Sequence, residues 1–182
     1  PASTTKLQSA DASVLRDALT LGVDEYQRKL FGLLPRGSLV VSSIGTGKLE
    51  TEERLRGLGA ATLSASARDA TGSLLVAGTS DGRAALIHLR FQPQYESDKL
   101  VEVSPDIRSE PLVEVDPLHR PLRLVDGRER DGTSVLAAVA GDREILVMRK
   151  GPDDTSFVRE TLEVGEGETV THLRLARTDH LA

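Results

Sequence analysis

Cysteine and tryptophan are absent from the 182 residues, methionine occurs once, and phenylalanine and tyrosine together number five. Without cysteine there is no disulfide framework, no zinc–thiolate site and no thiol nucleophile, and the redox compartment stays open. The chain also lacks an excess of positive charge: 23 Lys and Arg stand against 28 Asp and Glu, a net charge of −5. A nucleic-acid binder would carry a basic patch and aromatic faces for base stacking, and this composition supplies neither. No apolar run approaches eighteen residues, so no segment reads as a membrane-spanning helix. No secretory signal is visible, but the chain opens at Pro1 without an initiator methionine. It reads as an excerpt of a longer protein, for which missing signals say little. What is present, 38% hydrophobic and 28% charged residues, is the composition of an ordinary globular domain.

The stretch Val40 to Leu49, VVSSIGTGKL, resembles a phosphate-binding loop at first sight. That loop needs G-x-x-x-x-G-K-[ST] between a strand and a helix. Ser42 stands where the first glycine belongs, and Leu49 stands where a magnesium-binding hydroxyl belongs. The following residues, Glu50 to Arg56, read as a short helix in that setting. Its acidic first turn would repel a phosphate. The alternative is a glycine turn between two strands, because glycine supplies the positive φ that tight hairpins need.

The rest of the chain favours the turn. Gly37-Ser38-Leu39-Val40-Val41 precedes GTGK. Gly72-Ser73-Leu74-Leu75-Val76-Ala77-Gly78 precedes Ser80-Asp81-Gly82-Arg83 and a second apolar run to Phe91. Gly132-Thr133-Ser134-Val135-Leu136-Ala137-Ala138 precedes Gly141-Asp142-Arg143 and a run to Arg149. Each copy spells a β-hairpin. Ser38, Ser73 and Ser134 mark the copies, at spacings of 35 and 61. The first is near the roughly 40-residue period of a four-stranded propeller blade. The surplus in the second falls at Gln92 to Pro117, where Leu100–Val103 and Leu112–Val115 read as an inserted hairpin broken by Pro105 and Pro111.

Further strands are expected at Lys29–Leu34, Ala61–Ala65, Pro121–Val125 and Phe157–Val164. Val170–Leu175, with a turn at Arg177–His180, reads as the opening of a truncated fourth unit. The expected fold is therefore mainly β: antiparallel sheets in propeller-like blades, forming a partial, open propeller. Residues 29–182 carry the repeats, and residues 1–28 form an N-terminal segment. There Ser9 or Asp11 caps a short helix over Ala12 to Leu21, with residues 1–8 disordered. Three units and a stub cannot close a ring of 4–8 blades. An exposed edge strand, available for homodimerisation, follows from the open array.

Candidate chemistry is sparse. His88 lies in a strand, His119 in a proline-flanked loop, and His172 and His180 eight residues apart, none with ligand-spaced neighbours. Asp126-Gly127-Arg128-Glu129-Arg130-Asp131-Gly132 lacks the alternating acids of a calcium loop and reads as a mobile loop. Ser13, Ser38 and Ser66 have no G-x-S-x-G elbow. No catalytic, cofactor-binding or metal-ligating residue is assigned, and the expectation is a non-enzyme without cofactor.

The segment Ala77 to Tyr95, with its Asp81-Gly82-Arg83 turn and Arg90-Phe91 strand, resembles the large extracytoplasmic insertion of permease subunits in proteobacterial phosphate ABC transporters. Leu112 to Pro117, Pro121-Leu122 and Glu160-Thr161-Leu162 fit the same pattern, so the resemblance runs from about Leu30 to the C-terminus. It implies a non-catalytic periplasmic domain of an inner-membrane protein, contacting other transporter subunits or the periplasmic phosphate-binding protein, or regulating uptake. The chain departs from WD40 repeats in having no Trp-Asp dipeptide. A stand-alone propeller scaffold is the alternative reading, and a propeller hydrolase the third.

Overall fold

The computed structural model describes residues 15–69 and 72–176. Its strands fall into three antiparallel sheets, each a meander in sequence order. The first sheet is β1 (Thr20–Asp24), β2 (Lys29–Leu33), β3 (Ser38–Ser43) and β4 (Leu49–Arg54). The second is β5 (Leu63–Arg68), β6 (Leu74–Thr79), β7 (Arg83–Glu96) and β8 (Lys99–Ser109), with β9 (Val113–Glu114) also paired to β7. The third is β10 (Leu122–Arg130), β11 (Thr133–Ala140), β12 (Glu144–Lys150) and β13 (Val158–Glu163).

These sheets stack face to face as successive blades. One core cluster joins the first two, with Phe31, Leu33, Leu39 and Val41 against Leu75, Ala77, Ala85 and Ile87. A second joins the second and third sheets, with Leu74, Val76 and Leu86 against Val125, Leu136 and Ala138. The leading strands lie side by side, β1 touching β5 and β5 touching β10. Strand β11, TSVLAAVA, is buried along nearly its whole length because both its faces are covered. Its small residues suit that double covering. Among the described residues no core cluster joins the third sheet back to the first.

Close sheet spacing depends on two glycines. A Cβ on Gly127 in β10 would stand 2.5 Å from Val76 Cγ2, and one on Gly78 in β6 would stand 2.7 Å from Val125 Cγ1. The third sheet is therefore pressed onto the second where a side chain would hold it off.

Several expectations change at this level. The helix over Ala12 to Leu21 does not form among the described residues; Leu15–Asp17 makes one turn of 3-10 helix and the chain enters β1 at Thr20. Leu15 instead seals the outer face of the first sheet against Leu34 and Val40. Residues 1–8 and the start of that helix lie outside the described residues. Glu50 to Arg54 belong to β4 and not to a helix. The charged stretch from Asp126 to Arg130 is the end of β10, paired residue by residue with β11, and not a loop. Val170 to Ala176 joins no sheet, because it crosses the third sheet's open face. Leu173 and Leu175 pack on Val135, Ala137 and Val147, and buried Asp126 accepts the Leu175 amide at 2.7 Å. The turn expected at Arg177–His180 lies outside the described residues.

The inserted hairpin is an overgrowth of β7 and β8 themselves. Pairing of β6 with β7 ends at His88, whereas β7 and β8 stay paired to Glu96 and Lys99 around a turn at Ser97 and Asp98. Both turn residues have positive φ, 47° and 64°, as a two-residue hairpin requires. The seven residues from Arg90 to Glu96 thus carry a free two-stranded ribbon about 24 Å beyond the sheet. Pro93 and Pro105 are accommodated because the ribbon has unpaired edges on both sides.

Candidate functional site

The glycine turns are structural. GTGK links β3 to β4, with the Gly47 amide donating to the Ser43 carbonyl at 2.8 Å and the Lys48 amide to Thr46 Oγ1 at 3.2 Å. SDGR links β6 to β7, where Asp81 accepts from Arg83 Nη2 at 2.7 Å and Nε at 3.0 Å. Arg83 reaches on to the Gly57 and Leu58 carbonyls at 2.9 and 3.1 Å, tying this turn to the segment that leaves the first sheet. The hydrogen bond from Arg83 holds the Asp81 carboxyl below its ordinary value.

A second charged cluster braces the segment between β9 and β10. Asp116 is fully buried. It accepts from Arg120 Nε and the Arg120 amide at 2.8 and 2.9 Å through one oxygen, and from Arg120 Nη2 and the Leu118 amide at 3.1 and 3.3 Å through the other. Arg120 also pairs with Glu144 at the start of β12. The Asp116 amide donates to the Gly82 carbonyl at 2.9 Å, so this cluster locks the β6–β7 turn to the third sheet. The bonds from Arg120 keep the Asp116 carboxyl below its ordinary value, and Asp116 in turn raises Arg120. Both Asp116 oxygens are filled by these donors, so the cluster acts as a brace.

The third cluster faces a cleft. His88 on β7, Glu110 just beyond β8 and Glu129 on β10 meet where the second and third sheets part. His88 Nε2 lies 3.6 Å from Glu110 Oε1, and Nδ1 lies 3.5 Å from Glu129 Oε2. The cleft they line, with Arg90, Asp106 and Arg108, encloses about 390 Å³. Strand geometry explains the meeting. Side chains alternate along β10, so Val125, Gly127 and Glu129 share the face toward the second sheet, and Leu86 and His88 share the opposing face of β7. The close approach allowed by Gly127 carries Glu129 onto His88 two residues further along. Glu110 sits where the outer strand breaks between β8 and β9, its amide held by the Leu86 carbonyl at 2.9 Å. Ser134, the cross-strand partner of Glu129, donates to Glu129 Oε1 at 2.8 Å and leaves Oε2 facing the ring.

Sequence reasoning left His88 alone, because its partners stand 22 and 41 positions away. The alternation Val125, Gly127, Glu129 is the available signal, hidden where the expected strand stops at Val125 and Asp126 to Gly132 reads as a loop. His119 and His172 are exposed and join no such cluster, and His180 lies outside the described residues.

The remaining candidate surface is the ribbon. In register, Phe91 faces Pro105, Pro93 faces Val103 and Tyr95 faces Leu100. All six therefore share one side. The other side pairs Arg90 with Asp106, Gln92 with Ser104 and Gln94 with Glu102. The apolar side continues the core between the first two sheets, where Phe91 lies 6.5 Å from Phe31 and Ile107 is partly covered. Beyond that base it is bare: Tyr95 is 64% exposed and Leu100 52%.

No protein-family model matches the chain, and no curated protein matches it. Solved structures similar to it include Raptor from Chaetomium thermophilum (16% identity over 80% of this chain and 12% of that one, TM-score 0.48). The β-propeller domain of Cps50 (Swd1) from Myceliophteria thermophila is 12% identical over 80% of this chain and 39% of that one, with a TM-score of 0.46. U3-55K is 18% identical over 86% of this chain and 43% of that one, also with a TM-score of 0.46. The chain thus spans less than half of each of these solved chains, and its description as stacked blades rests on its own sheets.

Proposed function

We propose that the chain is a non-catalytic protein-interaction module built of propeller-type blades, with the apolar side of the β7–β8 ribbon as its contact surface. The observation that carries this reading is the ribbon's two-sidedness. A ribbon held about 24 Å beyond its sheet gains little from bare Pro93, Tyr95 and Leu100 beside half-buried Val103 unless a partner covers them. Exposed paired strands of this kind invite association, and tyrosine is a favoured anchor at protein contacts.

The finer setting comes from the sequence resemblance. It makes the module the periplasmic domain of a phosphate ABC transporter permease, with other transporter subunits or the phosphate-binding protein as partner. The supporting observation is that the phrases carrying the resemblance, Asp81-Gly82-Arg83 and Arg90-Phe91, begin β7 and launch the ribbon. In the stand-alone scaffold reading the same ribbon meets a different protein.

A photo-crosslinking amino acid placed at Tyr95 in the full-length protein, in its own cells, tests both levels. The expected result is one discrete protein adduct, absent when the probe sits at Glu52 and lost in Leu100→Ser/Val103→Ser. A transporter subunit or the phosphate-binding protein in that adduct supports the finer setting, and any other single partner supports the scaffold. Labelling at Tyr95 no stronger than at Glu52 overturns the ribbon as contact surface.

A further inference from the structure

We propose that His88, Glu110 and Glu129 bind a divalent transition-metal ion of the zinc class at the junction of the second and third blades. Three things carry the assignment. The first is donor chemistry: one imidazole and two carboxylates, each offering an atom within 4.8 Å of the others, are a ligand set that zinc accepts, with water completing the shell. The two nitrogen–oxygen separations, 3.6 Å from Nε2 to Glu110 and 3.5 Å from Nδ1 to Glu129, each lie near the roughly 3.4 Å between ligands in a tetrahedral site with bonds of about 2.0–2.2 Å, but on opposite nitrogens of the ring. A single ion on one ring nitrogen therefore requires one carboxylate to swing round the ring, and both glutamates are partly exposed.

The second is what the cluster lacks without a cation. A neutral imidazole carries one N–H and one lone pair. Two carboxylates flank this ring, so a neutral ring turns its lone pair toward one of them, whereas a ring with a cation on that nitrogen does not. Two negative charges from different sheets converge there, and a dication on the ring nitrogen removes both conflicts. Of the two arginines lining the cleft, one already has a carboxylate partner. Arg108 is engaged by Asp106 through Nε and Nη2 at 3.2 and 3.0 Å.

The third is preorganisation. His88 is paired across β7–β8 with Arg108, Glu129 is paired with Ser134 in β10–β11, and the Glu110 amide is fixed to Leu86. Ser134 also orients the Glu129 carboxylate from outside the ligand set, as partners behind metal ligands do. An ion here would bolt two blades together, so binding is coupled to the stability of their interface.

Calorimetric titration of the tag-free chain with zinc chloride at pH 7.5 tests this. One equivalent is expected to bind with micromolar affinity and to raise the thermal midpoint. His88→Gln, Glu110→Gln and Glu129→Gln should each weaken binding by at least about tenfold, while His172→Gln should bind as the unmodified chain does. Circular dichroism checks that each variant is folded, and three separate ligand variants keep the test decisive if one is not. Cobalt(II) should give visible ligand-field absorption that zinc abolishes. Absence of saturable binding overturns the site, as does binding that survives loss of His88. So does a thermal midpoint that rises as pH falls through the imidazole range yet ignores zinc, which would identify the cluster as an imidazolium clip.

Discussion

Gly127→Val is expected to destabilise the chain by about 3 kcal/mol, read as a lowered urea midpoint at unchanged m-value. The cause is overpacking between blades. A Cβ at this position would meet Val76 Cγ2 at 2.5 Å and Leu86 Cδ2 at 3.4 Å, both in the core between the second and third sheets. Neither neighbour has room to retreat, because Val76 and Leu86 are buried in the same cluster. The sheets must separate, and with them Glu129 must leave His88. The same substitution should therefore lower metal affinity without touching a ligand. Gly167→Val is the matched control. Gly167 has φ +81° but nothing within 4 Å of its Cβ position, so only backbone strain of about 1–2 kcal/mol applies.

Asp116→Ala is expected to cost about 2–3 kcal/mol. The substitution removes a fully buried carboxylate and leaves the amides of Leu118 and Arg120 without their acceptor. It also frees the Arg120 guanidinium to pair with Glu144 alone. The effect has a defined pH dependence. Arg120 holds the folded-state pKa of Asp116 below its ordinary 3.8. The carboxylate's contribution is then fully present above pH of about 3.8 and is lost as pH falls through the lower folded value. The stability gap between the native chain and Asp116→Ala should be constant from neutrality down to that point and close below it. Urea titrations at several acidic pH values measure the gap, and a gap independent of pH would contradict the role assigned to Asp116.

The sequence pattern speaks clearly about hairpins and poorly about which hairpins correspond. Strands β2, β3, β6, β7, β11 and β12 coincide with the apolar runs, and the glycine turns lie where they were expected. The matched serines, however, do not occupy equivalent places. Ser38 opens the third strand of its blade, whereas Ser73 and Ser134 lie at the second. Aligned by leading strands at Thr20, Leu63 and Leu122, the spacings are 43 and 59. This alignment brings β1 into the first blade. Leu15, Ala18 and Leu19 mimic a helical stripe, but Leu15 and Ala18 serve to cover a sheet, and the alternation that marks β1 is only five residues long. The end of β10 was missed for a different reason. Its residues are charged because that end borders the cleft and solvent, so hydrophobic pattern gave no signal there. The His88 cluster depends on that same missed strand, and on sheet stacking that no local spacing encodes.

The stacking itself is open to one direct measurement. Thr20 Oγ1 in β1 and Ser66 Oγ in β5 lie 2.5 Å apart, across the junction of the first and second blades. The natural chain has no cysteine, so Thr20→Cys/Ser66→Cys would contain two thiols and no others. Mild oxidation of the folded double variant, followed by thiol counting under denaturing conditions, is predicted to find a single intramolecular disulfide formed nearly to completion. Two thiols that stay free in the folded protein would contradict the placement of β1 beside β5, and with it the stacking of the first blade on the second that underlies the base of the ribbon.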